Sequence, residues 1–298
     1  MVVLSDKTDP YYNLALEKHL FDNFSGGAVF YLWQNDKTVV VGNYQNIYRE
    51  CNMQKIKTDG IRIARRLTGG GAVYHDLGNL NFSFISENAD TDKNYQVIID
   101  ALNSFDILAE KTGRNDIFVN GSKFSGNAFL SENGKFLHHG TILINSDLED
   151  VLKYLTPSPL KIKTKAVESS RNRVVNLIEI NPKITVENLK KELIKHCGQD
   201  EIIKISPPEN LISFFSSDAF LIGKNPKTGY EINGKTPYGN VTVVFNVEGN
   251  IITDAEVFTD SLYGNIADQI KLAMNGKKFV KSETKNIPHI GGMFDKFF

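Results

Sequence analysis

The chain has 298 residues, 41% hydrophobic and 23% charged, ordinary values for a globular protein long enough to bury a core without disulfides or structural metal. Its 34 basic and 35 acidic residues leave a net charge of −1, which provides no field for a polyanion and excludes a dedicated nucleic-acid binder. Two distant cysteines, Cys51 and Cys197, make neither a disulfide framework nor a zinc site. With no apolar stretch of membrane-spanning length and no signal-peptide core, the expected location is cytoplasmic and no membrane partner is expected.

In chain order, Asp9-Pro10 reads as a cap and first turn, after which Tyr12, Leu16 and Leu20 fall at helical spacing. Val29–Trp33 and Thr38–Gly42 are β-branched and aromatic, as strands are. Ile61–Leu67 is a third strand, running into Gly69-Gly70-Gly71. Leu80, Phe82 and Phe84 alternate with polar residues, the period of a half-buried strand. Lys93–Glu110 places Val97, Ile98, Ala101, Leu102 and Phe105 on one helical face. From Asp116 to Asn145, turns at Asn120-Gly121 and Asn133-Gly134 predict an antiparallel meander. Ser146 with Glu149 has capping-box spacing for a helix ending before Pro157, and a second helix spans Val186–Cys197 and stops at Gly198. A polar segment around Lys224–Gly229 reads as a linker. Val241–Val247 and Ile251–Phe258 then form a hairpin, followed by a helix near Ile266–Met274. Strands and helices do not alternate, so the expected class is α+β, with a large domain at 1–224 and a small one at 225–298.

Gly229 to Thr236 satisfies the P-loop pattern G-x-x-x-x-G-K-T. That motif works only between a strand and a helix, where backbone amides and a helix N-terminus face the phosphates. Here Pro237 follows at once, the next run is strand-like, and Asn233-Gly234 is itself a turn signal. A linker and turn are expected, with any nucleotide bound elsewhere.

The informative stretch is Arg65-Arg66-Leu67-Thr68-Gly69-Gly70-Gly71-Ala72-Val73-Tyr74-His75-Asp76. Three glycines after a strand let the backbone approach a ligand and direct several amides at it. Two arginines add forked donors suited to carboxylate or phosphate. A glycine triplet alone is also what a flexible turn looks like; with both arginines it reads as an anion cradle.

This stretch resembles the RR-x-x-GGG-A-V-x-H-D loop of the lipoate–protein ligase A family, within the biotinyl/lipoyl ligase superfamily. So do Trp33–Asp36, Gln45-Asn46, Glu50–Asn52, Gly113–Asp116, Lys123–Ala128, His138–Thr141, Arg171–Leu177 and Val257–Leu262, in order along most of the chain. The resemblance implies a class II synthetase-like catalytic domain with a small accessory domain that can rotate between reaction steps. It implies that lipoate is activated with ATP and Mg²⁺ to lipoyl-AMP. The lipoyl group then passes to a lysine of an apo lipoyl-carrier, the glycine-cleavage H protein or a 2-oxoacid dehydrogenase acyltransferase subunit.

Residue by residue, Lys123 matches the lysine that contacts acyl carboxyl and α-phosphate. Arg66, Gly71, Ala72, Val73 and Tyr74 match nucleotide positions, and Arg65, Gly69 and Gly70 the lipoyl side. Gly126 and Ala128 keep their strand low beneath the ligand. Asp116 is either a Mg²⁺ ligand, since magnesium takes a carboxylate or two plus phosphate oxygens, or a turn aspartate. His138 and His139, lacking a third ligand at metal spacing, are packing or substrate-adjacent residues. The Lys161–Lys165 run is a solvated face or a loop that steers the acceptor. A monomer is expected. Octanoate stays open beside lipoate as the substrate, because an apolar tunnel separates the two by only about 1–3 kcal/mol per methylene. A lipoyl-AMP-dependent transferase and an ATP-independent octanoyltransferase are the rivals; neither cysteine suits an acyl acceptor, and the biotin ligases' arginine-glycine loop is absent.

Overall fold

Strands that are apolar along most of their length form the centre of the molecule. The computed structural model describes residues 1–23, 26–113, 115–156, 174–199, 201–222 and 229–297. Among these, β1 (Val2–Leu4), β2 (Ala28–Trp33), β6 (Asn79–Ser86), β7 (Ala109–Thr112), β8 (Asp116–Val119), β9 (Ser122–Glu132), β10 (Lys135–Leu143) and β11 (Ile202–Ile203) make one mixed sheet. Its order is β11-β1-β2-β6-β10-β9-β8-β7. The three N-terminal-side strands run parallel, and every pairing from β2 to β7 is antiparallel. The predicted meander is β8-β9-β10, with Asn120 and Asn133 in the left-handed region at its two turns.

One face of this sheet packs under helices Thr91–Asn103 and Val186–His196, burying Phe82, Phe124, Ile98 and Leu193. The other packs under helices Pro10–Asn23 and Glu209–Ser216, burying Leu16, Tyr31 and Phe215. The same side carries a second sheet, β4-β3-β5, from β3 (Thr38–Val41), β4 (Arg62–Arg65) and β5 (Val73–His75). With two covered faces, β6 is buried on both, not the half-buried strand its alternation suggests: Asn79, Asn81 and Ser83 are as enclosed as the apolar residues between them.

Two element boundaries differ from expectation. The helix expected through Glu110 stops at Asn103, where the amides of Phe105 and Ile107 close onto Leu102 O and Asp106 turns left-handed; Ala109 and Glu110 then join β7. The cap of helix Leu148–Tyr154 is Asp147, whose carboxylate takes the amides of Glu149 and Asp150, while Ser146 is buried with its amide on Asn176.

The small C-terminal domain has its own core around Val243, Phe245, Ile270 and Phe294. It is a sheet of β12 (Tyr230–Thr236), β13 (Gly239–Glu248) and β14 (Ile251–Thr259) with helix Ile266–Met274. Asn233-Gly234 lies within β12, paired to Thr242 and Val241, so the turn is not there but at Pro237-Tyr238, where proline ends the ladder. The P-loop pattern therefore lies on a strand, as its dismissal requires, although strand replaces the expected linker and turn. Of the linker expected around Lys224–Gly229, residues 224–228 lie outside the described residues.

Candidate active site

The cleft lies between the large sheet and β4-β3-β5 and encloses about 220 Å³. Its glycine loop joins β4 to β5. A Cβ on Gly42 would sit 2.2 Å from Gly70 O, and one on Gly69 would sit 2.1 Å from Ser261 O, so backbone packs on backbone at both places. Gly70 has φ +92°, which only glycine adopts without strain. Gly70, Gly71, Ala72 and Val73 line the cleft; Gly69 faces a second cavity of about 540 Å³ between loop and small domain. Leu262 of the small domain borders both.

The two arginines do different work. Arg66 is buried and lines the cleft, but its guanidinium is spent on the loop: Nη2 donates to Gly69 O at 2.7 Å and Gly71 O at 2.8 Å, and Nε to Thr68 Oγ1 at 3.1 Å. Burial draws its pKa down to about 10. Arg65, expected on the lipoyl side, does not line this cleft. Adjacent strand residues face opposite ways, and Arg65 donates to the carbonyls of Gly42, Asn43, Gln45, Phe220 and Leu221. Tyr74 likewise turns its ring away, its hydroxyl donating to Asp150 at 3.1 Å.

Lys123 stands on the opposite wall. Its Nζ lies 2.6 Å from Asp116 Oδ1, and a Cβ on Gly126 would come within 3.0 Å of that Nζ, so the bare glycine leaves the ammonium its place. Val175 N–H donates to Lys123 O at 2.9 Å and fixes the strand. Ala128, one pleat on, continues the cleft floor. Asp116 does not line the cleft but reaches it through Lys123.

A chain of hydrogen bonds runs beneath the loop. Arg66 Nε donates to Thr68 Oγ1, and that hydroxyl is hydrogen-bonded to His139 Nε2 at 2.7 Å. His139 Nδ1 then donates to Glu17 Oε1 at 2.8 Å, which also accepts from Ser83 Oγ at 2.6 Å. The Glu17 carboxylate can only accept, which places a proton on His139 Nδ1. Of the two histidines read as packing or substrate-adjacent, His139 borders the cleft and His138 is boxed by Phe82, Phe84, Tyr95 and Phe129. Among the described residues no group of three or more His, Cys, Asp or Glu is arranged to hold a metal. Asp116 offers one carboxylate, enough only for a cation that arrives on phosphates. Arg114, the Lys161–Lys165 run and Arg171–Arg173 lie outside the described residues.

Residues 9–198 match the profile of the lipoyl protein ligase A/B catalytic domain, and residues 225–289 that of the bacterial lipoate protein ligase C-terminus. The chain belongs to the lipoate–protein ligase family. It is 36% identical over 298 residues to lipoate-protein ligase A of Bdellovibrio bacteriovorus, covering 93% of this chain and 88% of that one. To lipoate–protein ligase 1 of Plasmodium falciparum it is 34% identical, covering 92% and 86%. A crystal structure of the P. falciparum protein in complex with lipoate superposes with a TM-score of 0.86 over 100% of this chain and 97% of that one, at 34% identity. A lipoate-protein ligase A structure bound with ATP shares the fold, with a TM-score of 0.64 at 24% identity over 74% and 98%.

For a lipoate–protein ligase, the motifs located the loop and Lys123 but not what braces them. Glu17 belongs to none of them, His75 and Leu262 enter only as members of their motifs, and Asn81 only as the polar side of an alternating strand. Glu17 was detectable: it lies three residues from both Leu14 and Leu20, on the apolar face of its helix, where an acidic side chain needs a partner. The motif ending at Leu262 did not place that residue at the cleft, because only docking of the small domain brings it there.

Proposed function

We propose that the chain activates lipoate with ATP to lipoyl-AMP and transfers the lipoyl group to one lysine of an apo lipoyl-carrier, the H protein or a dehydrogenase acyltransferase domain. The observation that carries this reading is Lys123. Of the two cations bordering the cleft among the described residues, Arg66 is committed to loop carbonyls, whereas Lys123 has a carboxylate partner and an ammonium that lies over the bare Gly126.

Activation brings two anions together. A lipoate carboxylate oxygen bonds to the α-phosphorus as the bond to pyrophosphate breaks; the acceptor's neutral lysine nitrogen then bonds to the acyl carbon as AMP leaves. Positioning and fixed positive charge supply most of what such steps need. A lysine's compact charge, on a flexible stem, can serve carboxylate and phosphate in turn. Gly71, Ala72, Val73 and the backbone of Tyr74 would face the nucleotide, with Arg66 setting the loop's shape. Gly70, Gly126 and Ala128 would border the lipoyl group; Arg65 and Gly69 would act through the backbone they support. Mg²⁺ on the phosphates would neutralise charge beside Asp116. The reading includes a cytoplasmic monomer, a domain boundary at 224/225 and octanoate as a competing substrate.

Mass spectrometry of an apo lipoyl domain incubated with lipoate and Mg²⁺, with and without ATP, tests it. Lysine modification should require ATP and fall about 10²–10³-fold with Lys123→Ala, the cost of removing one preorganised charge-stabilising donor. Modification only from synthetic lipoyl-AMP would make the protein a transferase, and modification only from octanoyl-carrier protein would end the ligase reading.

A further inference from the structure

Two hydrogen-bond donors at the cleft have no acceptor among the described residues. His75 Nε2 and Asn81 Nδ2 are both buried and unpartnered, their residues 3% and 1% exposed, and both residues line the cleft. For His75 the identity as a donor follows from its other contact. Asn35 Oδ1 takes a hydrogen bond from Asn13 Nδ2, so the nitrogen of Asn35 faces His75 Nδ1 at 3.3 Å and makes it the acceptor. A neutral imidazole then carries its proton on Nε2, and burial, with Arg66 nearby, keeps this ring neutral by pulling its pKa down to about 3. In the Asn81 amide, Oδ1 accepts from Asn79 Nδ2 at 3.0 Å, and in this orientation its nitrogen is the atom left without an acceptor.

Unmade buried donors are costly, about 1–3 kcal/mol each, and a site that keeps them is built for an acceptor from outside. Their place says which kind. His75 follows Val73 on the cleft face of β5, directly after the glycine loop. Asn81 pairs in register with Thr141, whose neighbour across the ladder is the Gly126 beside Lys123. The Trp33 indole points along β6 the other way, to Ser83. Asn81 thus lies on the Lys123 side of the cleft and His75 at the end of the glycine loop, both bordering a space where a triphosphate has more anionic oxygens than one ammonium can satisfy.

Resting on the ATP-dependent reading above, we propose that His75 Nε2–H and the Asn81 carboxamide N–H receive phosphate oxygens of the nucleotide. They are neutral donors that complement the charge of Lys123.

Titration calorimetry on the full chain, with ATP, adenosine and lipoate separately, tests it. Asn81→Ala and His75→Phe should each weaken ATP binding by about tenfold to a hundredfold, the range for a hydrogen bond to a charged group, while adenosine and lipoate bind as before. His75→Gln, which keeps a donor near the Nε2 position, should recover part of the loss. Equal weakening of adenosine would assign the donors to base or ribose, selective weakening of lipoate would assign them to the acyl carboxylate, and three unchanged affinities would make them internal; each overturns the proposal. Failure of the unmodified protein to bind ATP would instead overturn the ATP-dependent reading itself, before any variant is compared.

Discussion

Gly69 shows how much one missing methyl group decides. Its amide neighbour, Gly70 N–H, donates to Ser261 O at 2.8 Å, and a Cβ on Gly69 would lie 2.1 Å from that same oxygen. Gly69→Ala should therefore push the Ser261 carbonyl off the loop, at a cost in the range of about 1–3 kcal/mol typical of overpacking. The unfolding midpoint in urea should fall, and hydrogen exchange at Gly70 N–H should accelerate; unaltered exchange at Gly70 would mean that the bond does not form in solution. At this scale the sequence was legible where function is local. The glycines, Arg66 and Lys123 announce themselves because close backbone approach and anion binding need those residue types in any context. His75 and Asn81 were not legible, because a polar residue on a strand looks the same whether its partner is protein, solvent or ligand.

Elements were readable where capping and periodicity agree. Helix Val186–His196 has a reciprocal box between Thr185 and Asn188 and ends at a left-handed Gly198, and its limits match the pattern closely. Helix Leu148–Tyr154 was misplaced by one residue because Ser146, Asp147 and Glu149 offer two overlapping caps, and tertiary structure takes Ser146 into the interior. Asp147→Ala should thus destabilise the protein by about 1 kcal/mol, an ordinary cap loss, in a urea titration, and Ser146 is no substitute cap. Asn233-Gly234 failed as a turn for a related reason: a dipeptide that favours a hairpin yields when Pro237 supplies a firmer stop three residues later and both flanks pair with β13.

For the whole molecule, burial of histidines in both the large sheet and β4-β3-β5 sets the response to acid. Burial holds His75 and His138 neutral, with folded-state pKa values of about 3. In the unfolded chain each titrates near 6.5, so below that pH the unfolded state binds more protons and stability falls. The loss begins as pH drops through about 6.5, reaches about 2 kcal/mol per histidine by about pH 5, and levels off only near pH 3. Urea midpoints at about pH 7.5 and about pH 5 should show it, and His138→Phe should flatten the slope; a midpoint independent of pH would mean that both rings are open to water. The α+β class and the separate tail were visible from the sequence, because they depend on the order of elements. The seating of the small domain, through Ser261 on Gly70, Tyr44 on Thr259 and Arg49 with Glu231, was not, since each contact joins residues remote in the chain.

The placing of the two cysteines acquires a meaning from the cargo. Lipoate carries a cyclic disulfide, which an accessible thiolate opens to a mixed disulfide. Neither cysteine lines the cleft: Cys51 is buried beneath β3, with its thiol pushed up to about 12 by burial, and Cys197 borders a separate cavity near Gln199. Oxidised lipoate can therefore enter, be activated and leave without being trapped by exchange with either cysteine.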